Sequence, residues 1–283
     1  VITIIGATQI AAGPIPLLLS VDEVASYSDA NEVTIVDFRG SALRYRLGHI
    51  PGAVFVPNSV VYDRVDGVNG RIPSISKVIS ELETIGIGTD IPVIIYDEDD
   101  GLWASRLFWA LEYLGHESVH ILDGGMRAWR KAGNEISRRR TQLPKSTFEL
   151  RLQPEKYATT SWMIDLIDNG GAEHSIIDSR SPQEFTGDRS MSTRKGHIPN
   201  AINVDWVENL RQGEGSLFKS ENSLFALYDN RNLDSSTQIV AYCQTGVRAA
   251  HTYFALRVLG YEHIRLYDDS WEVWGNRDDT TIE

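Results

Sequence analysis

Short, largely apolar runs recur along the chain, separated by longer stretches in which apolar positions repeat every three to four residues. Segments 34–36, 93–96, 175–177 and 238–242 have the length and the β-branched or aromatic content of strands buried on both faces. Segments 103–114 and 249–259 carry the helical period, and Gly115 and Gly260 follow them directly, where a helix C-cap is expected. Strands alternating with helices predict an α/β fold built from parallel sheets with helices on both faces.

The pattern occurs twice. VTIVDFRG at 33–40 answers SIIDSRSP at 175–182, GHIPGA at 48–53 answers GHIPNA at 196–201, and PVIIYD at 92–97 answers QIVAYC at 238–243. LEYLGHESVHILDGGMRAW at 111–129 answers LRVLGYEHIRLYDDSWEVW at 256–274. The blocks keep their order at a spacing near 145 residues, which is too long for a solenoid repeat and suits a duplicated domain. The expected division is a domain at 1–140, a linker at 141–156 and a second domain at 157–283. The junction is polar from residue 133 onward, and its run Arg138, Arg139 and Arg140 reads as a solvated face.

Composition narrows the function. The 283 residues are 42% hydrophobic and 23% charged, ordinary values for a globular protein, and the formal net charge is -12. So acidic a chain lacks the basic footprint that nucleic acid requires, although a small site can still be locally positive. Cys243 is the only cysteine, so neither an internal disulfide nor a thiolate zinc cage can form. A lone cysteine is by default a small buried hydrophobe, and its neighbours must argue otherwise. From Val1 to Val21 no residue is charged, and the chain begins without Met. This segment reads either as the remnant of a signal peptide, with small residues in QIAAG near a cleavage site, or as an edge strand with its entry loop. Pro14 and Pro16 interrupt it and argue against a spanning helix. A cytoplasmic protein is expected, with export as the alternative.

The segment Cys243-Gln244-Thr245-Gly246-Val247-Arg248 follows a predicted buried strand and opens a predicted helix. Ligands of open α/β sheets bind outside the carboxyl ends of strands, where this loop lies. Successive backbone N–H groups curling into a helix N-terminus make a cup for an anion, and Gly246 permits the tight turn. Such a cup favours a thiolate, and Arg248 closes it with a fixed positive charge. Cys243 is therefore the candidate nucleophile, and Gln244, Thr245, Gly246, Val247 and Arg248 are the candidate substrate-binding residues.

Cys-x-x-Gly-x-Arg after a strand, two GHIP segments and an aspartate in each D-x-R strand end together resemble the rhodanese family. The resemblance covers roughly residues 18 to 283, and YDDSWEVWG and GNRDDTTIE are similar to the C-terminal end of its thiosulfate-using members. It implies two tandem rhodanese-like domains, the first inert and the second catalytic, with Cys243 carrying sulfur as a persulfide. It also implies transfer of sulfane sulfur from thiosulfate to cyanide or a thiol, with no metal or organic cofactor. A 3-mercaptopyruvate sulfurtransferase and a persulfide carrier are the alternatives. The partners are then a small anionic donor and a thiophilic acceptor, with no stable membrane insertion, and a monomer is expected.

The duplication acts as an internal control. Asp97 stands opposite Cys243 in an acidic loop, Asp97-Glu98-Asp99-Asp100-Gly101, that would repel the anion its counterpart attracts. Asp178 and Arg180 lie near the rim of the Cys243 loop. Their recurrence as Asp37 and Arg39 favours a structural pair over substrate contact, and His197 with its counterpart His49 follows the same logic. His251 reads as a packed helix residue. Trp206, Trp271 and Trp274 are expected at the domain interface or the pocket mouth, and Arg194 and Lys195 are expected to add positive potential. Two-domain members that use mercaptopyruvate commonly carry an arginine shortly after D-x-R, where this chain has Glu184. The expectation is that Glu184 repels a second carboxylate, that Arg248 takes over as the cationic anchor, and that an arginine at 184 would shift preference toward mercaptopyruvate. A phosphatase on the same fold needs five residues between Cys and Arg, and here there are four.

Overall fold

The computed structural model describes residues 15–28, 32–169, 174–213, 216–233, 235–236 and 238–283. The signal-peptide reading of the N-terminus falls mostly outside these residues. The strands in chain order are β1 Leu18–Leu19, β2 Thr34–Asp37, β3 Val54–Phe55, β4 Asp63–Val65, β5 Val68–Arg71, β6 Val93–Tyr96, β7 Val119–Leu122, β8 Tyr157–Ala158, β9 His174–Asp178, β10 Ala201–Asn203, β11 Gln238–Tyr242 and β12 Ile264–Tyr267. One five-stranded sheet runs β1-β7-β6-β2-β3 and the other runs β10-β9-β11-β12-β8. Every pairing in both is parallel. Read backwards, the second order matches the first strand for strand, so the duplicated sequence folds as a duplicated topology. Among the described residues no helix is long and apolar enough to cross a membrane.

The strands are buried on both faces, as continuous apolar runs require. Their two-residue period divides them between cores. Val93 and Ile95 face a core shared by both halves, while Ile94 and Tyr96 face one belonging to the first half alone. Likewise Ile239, Ala241 and Cys243 join the shared core, and Val240 and Tyr242 face the other way. The shared core is closed by the helices Leu102–Tyr113 and Val247–Val258, whose Phe108 and Phe254 meet edge to face at 4.8 Å. Glu112 of the first helix accepts from Tyr253 Oη at 2.6 Å and pairs with Arg257 at 3.1 Å.

Strands β4 and β5 form an antiparallel hairpin outside both sheets. Its turn is Asp66-Gly67, both at positive φ (50° and 81°), the conformation that an Asp-Gly pair between apolar residues favours. The hairpin leaves the first half and lies on the second. Asn69 Nδ2 donates to Glu272 Oε1 at 3.0 Å, Ile72 N–H donates to Asp268 Oδ2 at 2.9 Å, and Arg71 pairs with Asp269.

Two of the tryptophans lie elsewhere than expected. Trp271 and Trp274 are buried in the second half's own core, away from the interface, because the Arg180 guanidinium lies over the Trp271 ring at 4.4 Å. Trp206 is half-buried with its edge against His251.

Candidate active site

Both D-x-R strand ends build the same bracket. Asp37 and Arg39 pair at 2.6 Å, and Arg39 Nη2 donates to the Gly48 carbonyl at 2.7 Å. Asp178 and Arg180 pair at 2.6 Å, and Arg180 Nη2 donates to the Gly196 carbonyl at 2.8 Å. In each half a tyrosine hydroxyl, Tyr96 or Tyr242, donates to that aspartate at 2.8 or 2.7 Å. Each histidine of GHIP then turns its Nδ1 to a backbone carbonyl, His49 to Tyr45 and His197 to Phe185. The bracket ties the GHIP turn to the sheet in both halves and takes up Nε and Nη2 of Arg180 and both carboxylate oxygens of Asp178, which favours a structural role.

The loops the brackets support differ in length and charge: Glu98, Asp99 and Asp100 separate Asp97 from the capping Gly101, and only Gln244 and Thr245 separate Cys243 from Gly246. In the first half, Asp97 turns its carboxylate into the N-terminus of helix Leu102–Tyr113 and accepts from the N–H groups of Gly101, Trp103 and Ala104 at 3.1, 2.9 and 3.2 Å. Burial beside Asp100 pushes its carboxyl up to about 7, and the three N–H donors work against that rise. This cup is filled by the chain's own anion. In the second half Cys243 holds the corresponding strand-end position, one residue past Tyr242, whose register partner is Asp178, as Asp37 is for Tyr96. Gly246 caps helix Val247–Val258 at φ 78°, as Gly101 caps its counterpart at φ 72°. No acceptor among the described residues takes the N–H groups of Gly246, Arg248 and Ala249. Cys243 holds the strand-end position that Asp97 holds, at the start of a loop whose amides are free to hold an anion.

Arg248 is not a free anchor. Its Nη1 and Nη2 grip both oxygens of Glu184 at 2.7 and 2.9 Å. Glu184 is the third residue of the helix Pro182–Phe185, in a capping box with Ser181. Burial alone would raise its carboxyl, but Arg248 and Ser181 overcome that and take it down to about 2. The expected repulsion from Glu184 is therefore replaced by neutralisation, and Arg248 is held at the cup with its charge largely matched. Arg194 is also engaged, donating to the Thr280 and Trp274 carbonyls at 2.8 and 3.0 Å, so it ties down the C-terminal segment rather than supplying potential to the cup. His251 is fully buried, stacked on Phe218 at 4.5 Å with Nε2 at 3.1 Å from the Asp100 carbonyl. Burial lowers its pKa to about 3, so it is neutral and packs the interface.

The first half reaches into the cup through residues that the sequence did not single out. Within the second half Gln244 Nε2 donates to Ser192 Oγ and to Glu272 Oε2, both at 3.1 Å, and from the first half Tyr62 Oη donates to Thr245 Oγ1 at 3.4 Å. Arg106, fully buried, pairs with Asp268 at 2.6 Å and donates to the Val61 and Gly70 carbonyls that flank the hairpin. A Cβ at Gly246 would come within 2.8 Å of Arg106 Nη1, and one at Gly70 within 2.7 Å of Thr245 Cβ. Arg106 thus packs against Gly246, and Gly70, whose carbonyl Arg106 holds, packs against Thr245, both from the opposite domain. Arg106→Met is expected to destabilise the protein by about 3–5 kcal/mol, because Asp268 is left buried and unpaired. It is also expected to slow sulfur loading of Cys243 in the molecules that remain folded. Thermal unfolding and a single-turnover assay per folded molecule check this; unchanged loading would make the pair a stability device only.

A sequence profile of the Rhodanese-like domain matches residues 20–132 and 159–277. The chain is 30% identical to a thiosulfate sulfurtransferase of Azotobacter vinelandii, across 95% of this chain and 97% of that one. It is also 30% identical to the sulfur carrier protein TtuD of Thermus thermophilus, across 92% and 94%. The crystal structure of the 3-mercaptopyruvate sulfurtransferase SseA of Escherichia coli superimposes with a TM-score of 0.80 at 29% identity, covering 91% of this chain and 99% of that one. The chain belongs to the rhodanese family of sulfurtransferases, with two such domains in tandem.

Proposed function

We propose that the protein transfers sulfane sulfur from thiosulfate, with Cys243 as the carrier. The Cys243 thiolate attacks the outer sulfur of thiosulfate, the S–S bond of the donor breaks, and sulfite leaves with the electron pair. A persulfide anion remains on Cys243. Cyanide or a thiol then takes the outer sulfur, the new S–S bond breaks, and the electrons return to Cys243. The amides of the loop hold the anion throughout, as an oxyanion hole holds an alkoxide. The observation that carries the reading is the exchange of Asp97 for Cys243 at corresponding strand ends: the first loop is acidic and its amides are taken by the Asp97 carboxyl group, while the second is neutral, ends in Arg248 and presents a thiol.

The choice of donor rests on how the nearby guanidinium groups are spent. Mercaptopyruvate brings a carboxylate that an arginine fork would bind. Arg248 is taken by Glu184, Arg180 by Asp178 and Gly196, and Arg194 by Trp274 and Thr280. Thiosulfate is compact and needs only the amides and the edge of Arg248. With cyanide as acceptor, kcat/KM for thiosulfate is expected to exceed that for mercaptopyruvate by at least about tenfold, the worth of one charge-assisted contact. A clear advantage for mercaptopyruvate would overturn the donor assignment, and a stable persulfide without turnover would favour a carrier. Glu184→Arg would set two guanidinium groups against each other. Glu184→Gln, which frees Arg248, is the substitution expected to shift preference toward mercaptopyruvate.

A further inference from the structure

Outside the cup, both domains border a cleft of about 540 Å³, far larger than a diatomic acceptor needs. One wall is the hairpin of the inert domain, with Tyr62, Arg64 and Asn69, and the other is formed by Gln244, Thr245 and Glu272. The cleft is dipolar. Glu272 accepts from two neutral amides, Asn69 Nδ2 at 3.0 Å and Gln244 Nε2 at 3.1 Å, and pairs with no cation among the described residues. Its neighbour Gln244 is 5% exposed and leaves Oε1 without a donor. On the hairpin, the exposed Arg64 has no carboxylate partner among the described residues, while Asp63 is occupied by Lys77 at 3.0 Å. A fixed carboxylate beside an unsatisfied amide oxygen, with an unpaired guanidinium on the facing wall, matches a molecule that carries an ammonium and a carboxylate together.

We propose that this cleft selects the sulfur acceptor, and that the acceptor is a small zwitterionic thiol of the amino-acid class, its ammonium toward Glu272 and its carboxylate toward Arg64. The proposal rests on Cys243 carrying a persulfide. The acceptor thiol gives its proton to the outer sulfur of the persulfide anion as its own sulfur attacks there, the Cys243 S–S bond breaks with its electron pair passing to Cys243 Sγ, and the proton leaves with the product persulfide. The inert domain then has a task beyond support, because its hairpin supplies the half of the charge pattern that recognises a carboxylate. Mercaptopyruvate has no ammonium, so Glu272 would disfavour it here, in keeping with a donor that uses the cup alone.

The test separates loading from unloading. The protein is loaded with thiosulfate, freed of donor, and its sulfur adduct followed by intact mass while cysteine, cysteamine, 3-mercaptopropionate or cyanide is added, each rate referred to the thiolate present. Cysteine is expected to unload the persulfide roughly tenfold or more faster than either analogue lacking one charge. In Glu272→Gln the cysteine-to-cyanide rate ratio is expected to fall at least tenfold, with cysteamine falling alongside. In Arg64→Ala it is expected to fall similarly, with 3-mercaptopropionate falling alongside. Arg64 is exposed and tests the proposal even if the Glu272 variant folds poorly. Equal rates for cysteine and its two analogues, or variants that lower every acceptor in proportion, would overturn the proposal while leaving the persulfide reading intact. A parent protein that takes no sulfur from thiosulfate would overturn both.

Discussion

Cys243→Ser is expected to abolish sulfur transfer. The substitution is nearly isosteric, so the cup, its amides and the Arg248–Glu184 pair should persist, and the loss reports chemistry rather than folding. A serine hydroxyl is a far weaker nucleophile at neutral pH than a thiol in the same place, and no second cysteine exists to take over. On the parent protein, thiosulfate should add a single sulfur that cyanide removes; on Cys243→Ser no adduct should form. The position of the thiol makes the experiment demanding: Cys243 is 1% exposed and belongs to the shared core, and on burial alone it would pass for an inert small hydrophobe. What distinguishes it is the row of unclaimed amides ahead of it. Transfer that survives the substitution would sink the whole account of the site.

Much of this is legible in the sequence, and the duplication explains why. Asp37/Arg39 and Asp178/Arg180 can be read as scaffold because a pair that recurs in a copy without a cysteine has no need of the thiol chemistry to account for it. Their actual partners, the Gly48 and Gly196 carbonyls and the Tyr96 and Tyr242 hydroxyls, are long-range contacts that no local pattern announces. Glu184 reads at first as a bare charge, yet its S-x-x-E spacing from Ser181 is a capping-box signal that fixes its direction. The V-D-G-V hairpin is visible in the same way and points to the arm that reaches Thr245 and Glu272. Arg106 also leaves a trace. A single arginine inside the buried helical run 104–111 has to find a buried partner, and its partner Asp268 sits in the other domain. The tryptophans mislead because an aromatic cluster near a polar, acidic C-terminus fits an interface as well as it fits a core. Only the stacking of Arg180 on Trp271 decides between them.

The second large effect is expected from Arg248→Ala. On the sequence alone its cost is that of one charge-assisted contact, about 1.5–3 kcal/mol, or roughly ten- to a hundredfold in kcat/KM. The bidentate pair with Glu184 raises that expectation. Glu184 is 5% exposed and owes its low carboxyl pKa of about 2 chiefly to Arg248, so removing Arg248 lets burial push that carboxyl up, with only the Ser181 bonds opposing the rise. At a pH above that raised value the variant sets an unpaired buried carboxylate beside the place where the persulfide anion must form, adding repulsion to the lost attraction. A loss at or beyond the upper end of the range follows. The double variant Arg248→Ala/Glu184→Gln should recover part of it, because the repulsive charge has been removed with its partner. Arg39→Ala makes the control, provided rates are taken per folded molecule. Arg39 is buried against Asp37 in the half without a cysteine, so removing it should cost stability, about 3–5 kcal/mol for a broken buried pair, and little sulfur transfer. Steady-state kinetics with thermal unfolding on the three variants separates the cases. If Arg248→Ala and Arg39→Ala retain the same activity per folded molecule, Arg248 lies outside the site. If the double variant is no better than Arg248→Ala alone, Glu184 exerts no field on the cup.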